Sequence, residues 1–405
     1  MLHSNGQSVY SFEPTEEYTS LVKKWETTQK TCDINLVVEF LQKNYFFPDA
    51  IMAMAEYFKL KGDFSNLLPL IERGIYIFEY CWCPGYNPLA SPPNTYIDFS
   101  LPLNFLYGKF IFNYIDMLAH QGCTKTALEF SKYLLSCDPY TDPFGVLLFI
   151  GYLANRAKIT DLMPLLVMGF QKIYNTDVLN IPSIIYSLAL SKRTESILPD
   201  NVKLQEKVAL VLSVKNIKEL IFLDEHCLLI SALSLFPGII EVIVKKKGEK
   251  SKIDSLPFFT GYQQKGWSEI LKHEIFKIEL KCEWFDQIAY QKMSAIFDEK
   301  EAQCFESSLQ WIKSTIGFLL NEPGVIGGIR ETLVKMMSHA MKHKMYSHIN
   351  VTDYMEDLKT LSAEQINERM EQNTFHRFPQ PHAVDNNVNP LLLFLQTLLP
   401  WNNAH

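Results

Sequence analysis

The sequence predicts an all-α fold: an α-solenoid of degenerate helix pairs, with additional helices toward the C-terminus. Three observations predict it. Apolar residues recur at helical spacing from about Glu16 to Val244. Glycine turns interrupt that pattern where one helix hands over to the next. No stretch alternates apolar and polar residues as a half-buried strand does. With 47% hydrophobic residues, 27 Phe and 19 Tyr, the chain has ample material for a packed core. Its charged fraction of 20% lies below the usual ~25%, so much of it must be buried.

The elements follow in order. "EEYTSLVKKWE" sets Leu21, Val22 and Trp25 at helical spacing, and "DINLVVEFLQK" does the same with Leu36, Val37, Phe40 and Leu41. Asp33 precedes that second run as the expected N-cap, since a short carboxylate can accept a free backbone N–H of the first turn. Pro48 opens the third helix in the first turn, where its missing N–H costs nothing.

From here a tetratricopeptide-like pattern can be counted, a helix pair of about 34 residues with fixed small and aromatic positions. Ile51, Met54, Ala55 and Phe58 fill the first helix, Gly62–Asp63 turns the chain, and Leu67 and Ile71 enter the second helix. Gly74 stands where the helices need a close contact. In the next copy Ile111, Tyr114, Ile115 and Leu118 form the first helix, Gly122 turns, Ala127 packs and Pro139 stops the second helix. Ser131 replaces the aromatic, so this copy is degenerate. The excess length between the two glycine turns falls in the Pro-rich stretch Pro84 to Pro102, and a loop of that length is usually functional or an embellishment.

Further helices are expected at 144–157, 161–174, 182–191 and 202–216, with another ending on Pro237. Helix pairs of this kind need their neighbours to bury their apolar faces. The expected organisation is a helical-repeat region over 1–244, a basic polar linker over 245–257, a C-terminal helical region over 258–373, and a linker with an apolar C-terminal helix over 374–405.

The same residues narrow the function classes. A net charge of −7 argues against general nucleic-acid binding, which needs a basic surplus to neutralise phosphates. Eight scattered Cys without a CxxC pair fit reduced, mostly buried thiols of an intracellular protein. The N-terminus has no apolar signal-peptide core, and the longest apolar run, Phe144 to Ala154, is too short to span a bilayer. A soluble cytoplasmic protein is expected, with the nucleus left open, and no membrane association.

Chemistry-bearing motifs are sparse. His339 and His343 share a helix face at the spacing of a zinc pair, but no HExxH motif accompanies them, and a solvated face is the plainer reading. "PGVIGGIRET", Pro323 to Thr332, lacks the Lys of a phosphate-binding loop. Cys81 and Cys83 form a single CxC motif, expected as buried packing. Lys245, Lys246 and Lys247 lead the main basic cluster, a solvated loop or a phosphate contact for RNA. "NPLLLFLQTLLPW" places Leu391, Phe394, Leu395, Leu398 and Trp401 in a segment with almost no polar face. Such a helix must be buried, either on its own chain or in a partner's groove. No catalytic constellation, cofactor or metal site assembles, and a non-enzymatic interaction scaffold is expected.

One block is specific enough to suggest a family. "QGCTKTALEFSKYLLSCDPYTDPFGVLLFIGYLANR", Gln121 to Arg156, resembles the core of the transcription factor 25 family, also called ribosome quality control complex subunit 1. "GDFSNLLPLIERGIYIFEYCW", "ALSLFPGIIEVIV", "YSFEPTEEYTSL" and "NPLLLFLQTLLPW" resemble its other signatures in the same order. The long basic region that members carry ahead of their helical part does not appear in this sequence. The resemblance implies a non-enzymatic adaptor on stalled large ribosomal subunits, working beside an E3 ubiquitin ligase of the Listerin type. It further implies contact with ubiquitin and recruitment of the valosin-containing protein ATPase that extracts the nascent chain. The alternatives are a nuclear transcription regulator, as the older family name suggests, or a generic helical-repeat scaffold. Sequence-specific DNA binding is not expected.

Overall fold

The computed structural model describes residues 2–4, 7–31, 33–88, 95–159, 161–174, 177–179, 181–193 and 201–236, and scattered positions between 311 and 336. The fold is all-α apart from one small sheet, with eleven α-helices among the described residues. They belong to two compact units, one ending at Pro139 and the other beginning at Tyr140.

The first unit holds β1 (Leu2–Ser4), β2 (Gln7–Tyr10), α1 (Glu16–Thr31), α2 (Ile34–Lys43), α3 (Pro48–Lys61), α4 (Phe64–Tyr80), β3 (Thr95–Ile97), α5 (Pro102–His120) and α6 (Thr124–Cys137). From α1 to α6 each helix packs on the next in chain order. Asp33 caps α2, its carboxylate accepting the Asn35 N–H at 2.8 Å. Pro48 and Pro102 sit in the first turns of α3 and α5.

The two glycine turns are built alike. Gly62 and Gly122 take φ of +65° and +83°, a region that a β-carbon disfavours. Each lets the chain fold back on the helix it ends. Gly62 N–H reaches the Lys59 carbonyl at 3.0 Å, and Asp63 N–H reaches Phe58 at 2.9 Å. Gly122 and Cys123 do the same to Ala119 and Leu118 at 3.1 and 2.9 Å. This is the paired closure that satisfies orphan carbonyls at a helix C-terminus.

The core of this unit is aromatic. Trp25, 1% exposed, lies against Phe40 and Phe47 with ring centroids 5.3 and 6.1 Å away. Phe78 stands between Tyr107 and Phe110. A β-carbon at Gly74 would overlap the Phe110 ring, so the expected close approach of α4 and α5 is real. Ser131 is buried, and its hydroxyl returns to the Ala127 carbonyl at 2.8 Å, which removes the cost of a polar group there.

The sheet is the departure from the sequence reading, which expects no strands. β1 pairs with β2 antiparallel, and β2 pairs with β3 in parallel. Strands of three and four residues are too short to show a period of two, and β3 lies inside the Pro-rich stretch. Asn104 of α5 holds the edge in place. Its Oδ1 accepts the Phe12 N–H at 2.8 Å, and its Nδ2 donates to the Asp98 carbonyl at 2.7 Å.

The second unit holds α7 (Val146–Arg156), α8 (Leu162–Ile173), α9 (Pro182–Lys192), α10 (Asn201–Ser213), a 3₁₀ turn (Ile217–Phe222) and α11 (Glu225–Leu235). Helix α9 packs on both α7 and α11. Every residue of Val146–Ala154, Pro182–Ala189 and Cys227–Leu235 is buried. Small residues let these helices meet. A β-carbon on Gly151 would overlap Ser187 Oγ, 2.7 Å from its Cβ and 3.1 Å from the Ser183 carbonyl. The Ser183 hydroxyl crosses to the Leu147 carbonyl at 2.9 Å.

Helix α7 starts on a buried carboxylate. Asp142, 1% exposed with φ +40°, accepts the Val146 and Leu147 N–H groups at 2.8 and 2.9 Å. Gly145, at φ +63°, completes the entry. The "TDPFGVL" portion of the specific block is therefore a helix start.

Candidate functional site

The residues singled out from the sequence fall into three groups. Gly62 and Gly122 close α3 and α5, Ala127 is fully buried in α6, and Pro139 follows the end of α6 by two residues. These four are structural positions. Lys245, Lys246 and Lys247, His339 and His343, and Leu391, Phe394, Leu395, Leu398 and Trp401 lie outside the described residues.

The CxC motif requires a correction. Cys81 and Cys83 are exposed, not buried packing; α4 ends at Tyr80, just ahead of them. Cys123 is exposed as well, while Cys137 and Cys227 are buried. The expectation of mostly buried thiols therefore fails for three of the five described cysteines.

The stretch after α4 is anchored by a chain of phenols. Tyr86 and Tyr133 hydroxyls meet at 2.6 Å, and Tyr133 meets Tyr107 at 2.9 Å. Tyr10 donates to the Gly85 carbonyl at 2.8 Å, with its ring 5.0 Å from Tyr86. The Cys137 thiol lies among these hydroxyls, and burial pushes it up to about 12. Burial likewise raises Tyr86, Tyr107 and Tyr133. A thiol and phenols that stay protonated supply neither nucleophile nor base at neutral pH. The cluster ties the loop to α5 and α6.

Other titratable groups join helices in the same manner. Asp49 of α3 accepts the Tyr18 hydroxyl of α1, and burial raises its carboxyl to about 6. Glu56 pairs with Lys109, and Lys59 with Asp116 at 3.1 Å, joining α3 to α5. In the second unit Asp224 caps α11 through the Cys227 N–H at 2.9 Å and pairs with Lys207. His226 Nδ1 accepts the Trp311 indole N–H at 2.8 Å, so it is deprotonated there. Burial depresses its pKa further. Among the described residues no three His, Cys, Asp or Glu side chains are placed to hold a metal. No described helix is long and apolar enough to cross a membrane.

The first unit also presents aromatic side chains to solvent. Tyr45 and Phe46, in the turn before α3, are 55% and 59% exposed, and the Arg73 guanidinium stacks on Tyr45 at 4.1 Å. On α4, Tyr76 and Tyr80 are 58% and 81% exposed. Exposed Tyr and Arg side chains are the types enriched at binding interfaces. Sequence reasoning missed this face, although its signal was present: Leu67, Ile71, Gly74 and Phe78 turn inward, so Tyr76 and Tyr80 must turn outward.

The family model described as Transcriptional repressor TCF25 matches residues 10–379. A human protein named Ribosome quality control complex subunit TCF25 is 28% identical over 153 residues, covering 38% of this chain and 22% of its own. A Dictyostelium discoideum protein of the same name is 21% identical over 387 residues, covering 89% of this chain and 47% of its own. A protein of Ampulloclitocybe clavipes named Probable transcription factor claV is 23% identical over 151 residues, covering 37% and 19%. The chain thus spans less than half the length of these relatives. No solved structure matches it. With a match that runs from Tyr10 through most of the sequence, the chain belongs to the family described as Transcriptional repressor TCF25.

Proposed function

We propose that this chain is a non-catalytic adaptor in ribosome quality control, working beside an E3 ubiquitin ligase on stalled large ribosomal subunits. The observation that carries the reading is the family match over residues 10–379, joined to relatives named as subunits of the ribosome quality control complex. The described residues support it in kind. Their buried ionisable groups join helices, and their exposed aromatic surface suits protein contacts.

In this reading ubiquitin and the ligase bind by surface complementarity, and the valosin-containing protein ATPase is recruited to extract the nascent chain. Lys245, Lys246 and Lys247 contact ribosomal RNA through its phosphates. The segment Leu391, Phe394, Leu395, Leu398 and Trp401 seats its apolar side chains either on its own chain or in a partner's groove. The adaptor acts in the cytoplasm.

Affinity purification from translation-stalled cells tests the reading. Large-subunit proteins and the ligase should co-purify, and changing Lys245, Lys246 and Lys247 to Glu should reduce ribosomal proteins selectively. The similarity to a relative named Probable transcription factor claV favours a second reading, a nuclear regulator. Enrichment of chromatin proteins in place of ribosomal ones would replace the first reading with the second.

A further inference from the structure

The outward face of α4 carries more than two exposed rings. Glu72, Tyr76, Glu79 and Tyr80 are all exposed, and at 100° per residue they fall within one quadrant or so of the helix. The Tyr76 and Tyr80 rings lie 6.3 Å apart with an interplanar angle of 36°, side by side along the axis. The adjacent helices carry a second aromatic pair, Tyr114 of α5 against Phe130 of α6, at 5.0 Å. The Tyr114 hydroxyl is raised first by partial burial and then by the negative charge of Glu72, Cys123 and Glu79, which brings both carboxylates near it. Two carboxylates thus share this side of α4 with two exposed rings.

Among the described residues neither carboxylate is paired with a cation. The ion pairs among the described residues join other groups. Arg73, the neighbouring cation on α4, is turned onto Tyr45. Glu79 is partly desolvated, and its carboxyl is raised for that reason. A carboxylate that has lost part of its water without gaining a counter-ion is slightly unfavourable. An incoming ammonium or guanidinium relieves it, and the flanking rings hold such a cation by their faces.

We infer that the α4–α5 face formed by Glu72, Tyr76, Glu79, Tyr80 and Tyr114 is a docking site for a basic, arginine- or lysine-rich segment of a partner protein. Charge complementarity selects the occupant. The carboxylates repel a nucleic-acid backbone, and they would lie unpaired under a purely apolar helix. The inference concerns the purified chain and is independent of the ribosomal role proposed above.

Fluorescence anisotropy with a labelled octa-arginine peptide tests it on the full chain. Glu72→Gln combined with Glu79→Gln should weaken binding roughly tenfold. Tyr76→Ala with Tyr80→Ala should weaken it roughly three- to tenfold, and Tyr76→Phe with Tyr80→Phe should restore it. Thermal melting should be unchanged in all of these, since the side chains are exposed. Glu16→Gln with Glu17→Gln, on α1, serves as a control for general charge and should leave binding intact. Equal loss in that control, indifference to the tyrosine changes, or tighter binding of a single-stranded RNA of similar length would each overturn the inference.

Discussion

Helices α4 and α9 are built from similarly apolar sequences, yet water meets them in opposite ways. On α4 the apolar residues concentrate on one side, and Glu72, Tyr76 and Tyr80 are left to solvent. On α9 every residue from Pro182 to Ala189 is buried, with neighbours α7 and α11 both packed on it. The difference lies in what is small. In α9 the small polar residues are Ser183 and Ser187, and the Ser183 hydroxyl bonds the Leu147 carbonyl of α7; a large charged side chain could not be enclosed so cheaply. The first unit therefore leaves one side of α4 to solvent, while the centre of the second is given over to packing.

The sharpest way to break this comparison is to enlarge the tightest contact in each unit. Gly151→Ala drives a methyl into Ser187 and toward the Ser183 backbone, and should destabilise the second unit by about 3 kcal/mol. Gly74→Ala meets a ring that can shift, and should cost the first unit about 1–2 kcal/mol, partly recovered by Phe110→Leu. Denaturant melts of the variants check both, and equal costs would show that the units tolerate volume alike.

Next in size is the start of α7. Asp142→Ala leaves two buried N–H groups without their acceptor and should cost about 2–3 kcal/mol. A melt unchanged by that substitution would deny the carboxylate its capping role.

Asp49, one of two buried carboxylates of the first unit with Glu56, is governed by desolvation. Asp49 titrates near 6 in the fold, above the ordinary 3.8, so the folded chain holds a proton that the unfolded chain releases. Its contribution is fully present below about pH 4 and is lost as pH rises through 6. Asp49→Asn should flatten that fall and gain about 1–2 kcal/mol at pH 7. A wild-type melt that strengthens over the same interval by the action of this residue would reverse the sign and contradict the assignment.

The smallest effects concern helix closure. Helix α7 ends in the same paired bonds as α3 and α5, with Ile159 N–H to Ala154 and Lys158 N–H to Asn155, both at 3.0 Å. Here Lys158 occupies the left-handed position at φ +58°. Lys158→Gly should gain about 0.5–1 kcal/mol, and Gly122→Ala should lose about 1–2 kcal/mol. Chemical denaturation of both variants measures the pair, and opposite signs are the point of the test.

These particulars show what was legible in the sequence. Amphipathic helices with capped ends were plain: Asp33, Pro48, Gly62 and Gly122 marked boundaries found within a residue or two. Gly74 was read as a close contact because it interrupts an apolar face. The three-stranded sheet was not legible, since its strands are shorter than any period can show. The closure at Lys158 was hidden because a lysine carries no turn signal. The candidate surface was missed for a physical reason as well. An aromatic side chain reads as core in any hydropathy pattern, and only the inward set on α4 reveals that Tyr76 and Tyr80 must face out. The most specific block, Gln121 to Arg156, consists of helix closure, close packing and a capped helix start.

The central claim is that the chain works by holding other macromolecules. Gradient sedimentation of the purified chain with purified large ribosomal subunits bearing a stalled nascent peptide tests it most directly. The account predicts that the chain migrates with the subunits, and that Lys245, Lys246 and Lys247 changed to Glu release it to the top. A chain that stays at the top of the gradient in its unaltered form would contradict it.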